Sequence, residues 1–184
     1  MLQLQLQRML TEDQGLIYVF TGNGKGKTTA AVGQAVRASG QGFRVLVIQF
    51  IKQIISGEVE PLKKLGVEIY PMGLGYVGIL TDQKEKAAHI HAAEKALDFA
   101  ESKIAEGQYN LLILDEINNA VQLGLLDVRE VIELLKNRPE GLSVILTGRN
   151  APAEFIEIAD LVSQIKDVKH PFVKGTSAKK GIEY

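Results

Sequence analysis

Residues Thr21-Gly22-Asn23-Gly24-Lys25-Gly26-Lys27-Thr28-Thr29 stand between an apolar segment and an alanine-rich one. Chemistry suited to that composition is the holding of polyphosphate. Backbone N–H groups around the glycines, the positive end of a following helix and the Lys27 ammonium would converge on phosphate oxygens, while Thr28 offers a hydroxyl to magnesium. The G-x-x-x-x-G-K-[ST] pattern asks for glycine at 21 and meets Thr21, but its Gly26-Lys27-Thr28 end is intact. The plainer alternative is a turn that uses Gly22, Gly24 and Gly26 only for their permissive dihedrals.

A second chemical pair, Asp115-Glu116, follows the apolar run Leu111 to Leu114. A carboxylate there can ligate magnesium or orient its waters, since this ion keeps several waters in triphosphate sites. Asp115 takes the metal role with Thr28, directly or through water, and Glu116 is expected to support it or to position substrate. Asn118 and Asn119 can bond substrate or cap the next turn. Arg149, in Thr147-Gly148-Arg149-Asn150, is a phosphate or substrate contact or else a solvated arginine. Gln49 and Lys52 hold a similar position after another apolar run, where long polar side chains are ordinary. His89 and His91, two apart, cannot face one metal as an i,i+4 pair does. His170 lies in a basic and aromatic tail suited to covering a charged site, and Tyr76 either stacks on a flat ligand or plugs its glycine-rich loop.

Positioning these groups requires strands that end where the loops begin. Apolar runs over 16–20, 43–50, 67–70, 109–114 and 142–147 read as strands, with a sixth over 161–165. Helices are expected from Lys27 to Ala38, between strands two and three, within 82–106, around 128–135 and over 152–159. Alternating strands and crossover helices predict an α/β fold with a mostly parallel sheet and ligands at the strands' carboxyl ends.

The chain has 184 residues, 46% of them hydrophobic, enough for a single core-bearing domain. It has no Cys, which excludes disulfides, thiolate nucleophiles and iron–sulfur clusters. Formal net charge is −1 with no long basic block, so nucleic acid is not an expected partner. No apolar run approaches the about 18 residues of a membrane span, and the expected address is cytoplasmic.

Four separated motifs occur in order: Thr21 to Ala31, Leu114-Asp115-Glu116-Ile117-Asn118, Leu146-Thr147-Gly148-Arg149 with Ala151-Pro152, and Val168-Lys169-His170-Pro171-Phe172 with Gly181-Ile182-Glu183-Tyr184. In these the chain, from about Leu16 to Tyr184, closely resembles the BtuR/CobO/CobP family of ATP:corrinoid adenosyltransferases. The resemblance implies a P-loop NTPase-like (RecA-like) three-layer fold over 16–184, preceded by a segment 1–15 that is either a tail or a corrinoid cover. It implies transfer of the adenosyl group of ATP to corrinoid Co(I), with release of triphosphate. Gly22, Asn23, Gly24, Lys25, Gly26, Lys27, Thr28 and Thr29, with Asn118 and Arg149, would hold ATP. Lys27, Thr28, Asp115 and Glu116 would be catalytic, and Thr28 with Asp115 would bind Mg2+ or Mn2+. A homodimer and a reduced flavodoxin or other flavoprotein donor are also implied. The family's tryptophan after the third strand is absent, and its Phe-Ile-Lys-Gly stretch reads Phe50-Ile51-Lys52-Gln53. Three rivals share the same loop: an ATPase, a small-molecule kinase and a nucleotide-gated corrinoid carrier.

Overall fold

A computed structural model describes residues 14–53, 56–75, 77, 84–171 and 175–182. Among the described residues six strands form one sheet: β1 Ile17–Thr21, β2 Val45–Gln49, β3 Glu68–Pro71, β4 Leu111–Asp115, β5 Ser143–Thr147 and β6 Leu161–Gln164. Their order across the sheet is β3-β2-β4-β5-β1-β6, and every neighbouring pair is parallel. All six carboxyl ends therefore share one edge. The central strands β2 and β4 are buried at every position, as strands covered on both faces must be.

Alternation along the strands sends side chains into two cores. Val45, Val47, Leu111, Ile113 and Ile145 meet Ala31, Ala35 and Ala38 of α1 (Lys27–Gly40) and Val59 and Leu62 of α2 (Val59–Lys64). The alanines leave room for α1 to lie close against the sheet. Leu46, Ile48, Leu112, Leu114, Val144 and Leu146 fill the other core. They pack with α3 (Lys86–Ala105), α4 (Ile117–Gln122), α5 (Val128–Lys136) and α6 (Ala153–Ile158). The stripe expected of α3, Ile90, Ala93, Leu97, Ala100 and Ile104, packs on this core, with Ile90 partly buried and the other four buried. A capping box at Asp127 and Glu130 fixes the start of α5. Removing a fully buried leucine such as Leu112 costs about 2–5 kcal/mol by transfer and cavity formation.

Several expected boundaries move. The second strand begins at Val45, because Gly42 turns with φ 81° and Phe43 is exposed. Tyr109 and Asn110 precede β4; there the Asn110 carboxamide accepts from Arg44 N at 2.9 Å. Helix α4 is an element that the sequence reading missed, its six residues being too short to display a helical period. Residues 1–13, Tyr76 and Phe172 lie outside the described residues.

Candidate functional site

The loop between β1 and α1 is built into the sheet. Ile165 N donates to Thr21 O at 2.8 Å and Gly24 N donates to Ile165 O at 2.9 Å, so the chain leaving β6 pairs with the loop. Gly22 has φ 98°, and a side chain there would put its Cβ 2.3 Å from Ile165 O. Gly24 approaches Lys166 as closely, with a Cβ position 2.6 Å from Lys166 C. Thr21, the departure from the glycine pattern, has a task of its own: its Oγ1 accepts from Ala151 N at 3.0 Å, tying the end of β1 to the segment after β5. Gly26 has φ 120° immediately before α1. Asn23 and Thr29 are exposed. The Lys25 ammonium donates to Ile182 O at 2.6 Å, which brings the tail onto the loop.

Lys27 opens α1 and its ammonium donates to Gly24 O at 2.6 Å, folding over the loop. Its pKa is lowered, first by burial and then by the Arg149 guanidinium, with Glu116 acting in the opposite sense. Arg149 therefore acts on the same space as Lys27, although it lies on an exposed turn.

Thr28 Oγ1 donates to Asp115 Oδ1 at 2.8 Å, joining the phosphate loop to the end of β4. Thr147 Oγ1, at the end of β5, donates to the same oxygen at 2.7 Å. Gln49 pairs with Asp115 in the β2–β4 register, and its Nε2 donates to Asp115 Oδ2 at 3.0 Å. Asp115 is 1% exposed, so these bonds replace its water. Glu116 follows in the left-handed region, with φ 64°, and its amide donates to Thr147 Oγ1 at 2.9 Å. Burial, and after it the Asp115 charge, push the Glu116 carboxyl up to about 7, against the pull of Lys52, Lys27 and Arg149.

Asn118 and Asn119 both fasten the turn after β5. Asn118 Nδ2 donates to Gly148 O at 3.2 Å, and Arg149 N donates to Asn119 Oδ1 at 3.0 Å. Among the described residues, Gln49 Oε1, Glu116 Oε2 and Asn118 Oδ1 are buried acceptors with no hydrogen-bond partner. His89 is buried in α3 and His91 is exposed.

Beside β2, Met72 N and Gly73 N both donate to Gln49 O, and Gly75 N donates to Ile51 O at 2.8 Å. Residues 72–75 thus lie on Phe50-Ile51-Lys52-Gln53, and a Cβ on Gly73 would sit 2.2 Å from Ile51 C. Gln53, in place of the glycine of the resembled motif, sets its side chain beside Gly75.

The sequence reading gave too little weight to Gln49 and Lys52 and named neither Glu58 nor Thr147 as a site residue. A usable signal was present: Gln49, Asp115 and Thr147 are polar residues that each end a strand directly after an apolar run, and adjacent parallel strands bring such ends together.

An all-parallel sheet with a glycine–lysine loop at the head of α1, and an aspartate on the threonine of that loop, defines a P-loop nucleotide-binding protein of three-layer α/β architecture. The model of the family described as ATP:corrinoid adenosyltransferase BtuR/CobO/CobP matches residues 13–184. A corrinoid adenosyltransferase of Escherichia coli (strain K12) is 39% identical over 174 residues, covering 94% of this chain and 87% of the relative. One from a Sinorhizobium species is 38% identical over 179 residues, covering 95% and 82%. A third, from Pseudomonas aeruginosa, is 36% identical over 176 residues, covering 94% and 85%. The chain belongs to the BtuR/CobO/CobP family of ATP:corrinoid adenosyltransferases.

Proposed function

We propose that this chain transfers the 5′-deoxyadenosyl group of ATP to the cobalt of a reduced corrinoid and releases triphosphate, in the making or salvage of adenosylcobalamin. The observation that carries the reading is the junction of Thr28 with Asp115 in a chain of this family. In the reaction the Co(I) electron pair forms the bond to C5′. The C5′–O bond breaks with its electrons going to triphosphate, and cobalt ends as Co(III). No protein nucleophile is needed. The protein's tasks are to align C5′ with cobalt, to exclude water and to stabilise charge on the leaving polyanion.

Lys27 and the loop's remaining amides are the groups for that charge, with Arg149 beside them. Gly24 N is already committed to Ile165 O, so the cradle rests on Gly22, Asn23, Lys25, Gly26, Lys27, Thr28 and Thr29. Asn118, with its buried unpaired Oδ1, is an acceptor for a nucleotide hydroxyl or amine.

The donors suit magnesium, or manganese in its place. Thr28 and Asp115 supply hard oxygens, and buried Glu116 Oε2 lacks a donor. Among the described residues no three His, Asp or Glu side chains converge as a metal cage. Two protein oxygens with the rest left to water and phosphate is what Mg2+ takes. Thr28 and Asp115 would hold the ion and Glu116 would orient its water shell; when bound, it neutralises the polyphosphate charge.

Residues 72–75, which lie on Ile51 to Gln53, are the wall assigned to the corrinoid. A second copy of the chain and a reduced flavoprotein complete the proposed working assembly, in the cytoplasm. No described helix is long and apolar enough to cross a membrane.

Incubation with ATP, Mg2+ and chemically reduced cobalamin tests the reading. Triphosphate and a light-sensitive cobalt–carbon bond, over several turnovers, are expected. ADP with orthophosphate would make it an ATPase, ADP with a phosphorylated acceptor a kinase, and binding without turnover a carrier.

A further inference from the structure

The two oxygens of Asp115 keep different company. Oδ1 accepts the hydroxyls of Thr28 and Thr147, whereas Oδ2 accepts Gln49 Nε2 and lies 3.6 Å from Lys52 Nζ. Lys52 is closer to another acid, Glu58, whose Oε1 accepts its ammonium at 2.9 Å. The same Glu58 oxygen accepts Ser56 Oγ at 2.5 Å and Gln49 Nε2, more weakly, at 3.4 Å. Glu58 stands at the head of α2, yet its side chain makes no capping bond to that helix. Its carboxylate is therefore spent on Ser56, Lys52 and Gln49. Burial works against both charges of the pair. The bonds from Ser56 and Lys52 nevertheless hold the Glu58 carboxyl below its ordinary range. Asp115, Glu58 and Glu116 together hold the Lys52 ammonium above its own.

We propose that Glu58 is a positioning residue that restrains Lys52 from closing onto Asp115, keeping that carboxylate available to a divalent cation. The inference rests on the reading of Asp115 and Thr28 as the place of the nucleotide's magnesium. An ammonium and a divalent ion compete for one carboxylate, and at 3.6 Å Lys52 is already within ion-pair range of Asp115. The shorter bond to Glu58 draws it back. With Glu58 neutralised, the nearest acid left to Lys52 is Asp115, and closure of that pair would weaken the carboxylate's hold on the metal. Gln49 bridges both acids and transmits the same adjustment.

Calorimetric titration of ATP into the full chain, without corrinoid, provides the test. The quantity read is the ratio of ATP affinity in saturating Mg2+ to that in chelator, for wild type, Glu58→Gln, Lys52→Met and the double variant. Glu58→Gln is expected to shrink the ratio about tenfold, the middle of the range for coupled neighbours. Lys52→Met in the same chain is expected to restore it, a reversal that damaged folding would not produce. An unchanged ratio in Glu58→Gln, or a ratio still reduced in the double variant, overturns the inference alone. A wild-type protein that binds ATP equally with and without Mg2+ overturns the magnesium reading and the inference with it.

Discussion

Replacing Glu116 by glutamine should change how stability depends on pH, in a direction that the site dictates. The carboxyl is buried beside Asp115 and rises from its ordinary 4.5 to about 7 in the folded chain. A raised acid favours the folded state while protonated. Its contribution is complete below about pH 4.5 and is lost as pH rises through about 7. At 1.36 kcal/mol per unit, the shift is worth about 3 kcal/mol. Urea unfolding of protein free of metal and nucleotide, followed by circular dichroism from pH 4.5 to 8, measures it in wild type and Glu116→Gln. Titrating groups remote from Glu116 cancel in the difference between the two. Relative to wild type, the variant should gain about 3 kcal/mol across that interval and level off above pH 7. A difference that stays constant with pH, or that shifts the other way, would refute the account of Glu116 as an acid held back by burial and a neighbouring charge.

Two further substitutions test the supports of the site. Gly148→Ala places a Cβ 2.4 Å from Asn119 Oδ1 and 2.8 Å from Asn118 Cβ at φ 137°. It should lower unfolding free energy by roughly 3 kcal/mol and impair transfer, both read on one preparation. Thr21→Val keeps the shape but leaves Ala151 N without its acceptor, so a loss of about 1–3 kcal/mol in urea unfolding is expected. Thr21→Ser should restore most of that loss.

Much of this architecture could be read from periodicity and punctuation. Apolar runs ending at polar or glycine residues located the strands, and Lys27 to Ala38 had the composition of a helix packed close to a sheet, which the structure extends to Gly40. The glycine–lysine loop and the acidic pair were legible as candidates because holding polyphosphate and magnesium calls for particular residues within a few positions of one another. Glu58 was not, since its link to Asp115 runs through Gln49 and Lys52, and Gln49 meets that aspartate only through the β2–β4 register. Nor was the left-handed backbone of Glu116 visible, because a glutamate carries no local sign of positive φ. The role of Thr21 was hidden likewise: its partner Ala151 lies 130 residues away.

With this loop proposed as the ATP cradle, its pairing with Ile165 bears on how the nucleotide is received. A loop that waited for its ligand before taking shape would give up conformational freedom at each encounter and bind more weakly for it. Here that freedom was surrendered once, during folding, when the chain leaving β6 aligned beside Thr21 and Gly24. On that reading the receptor for the polyanion would stand ready between turnovers, and departing triphosphate would leave behind a surface already shaped for the next nucleotide.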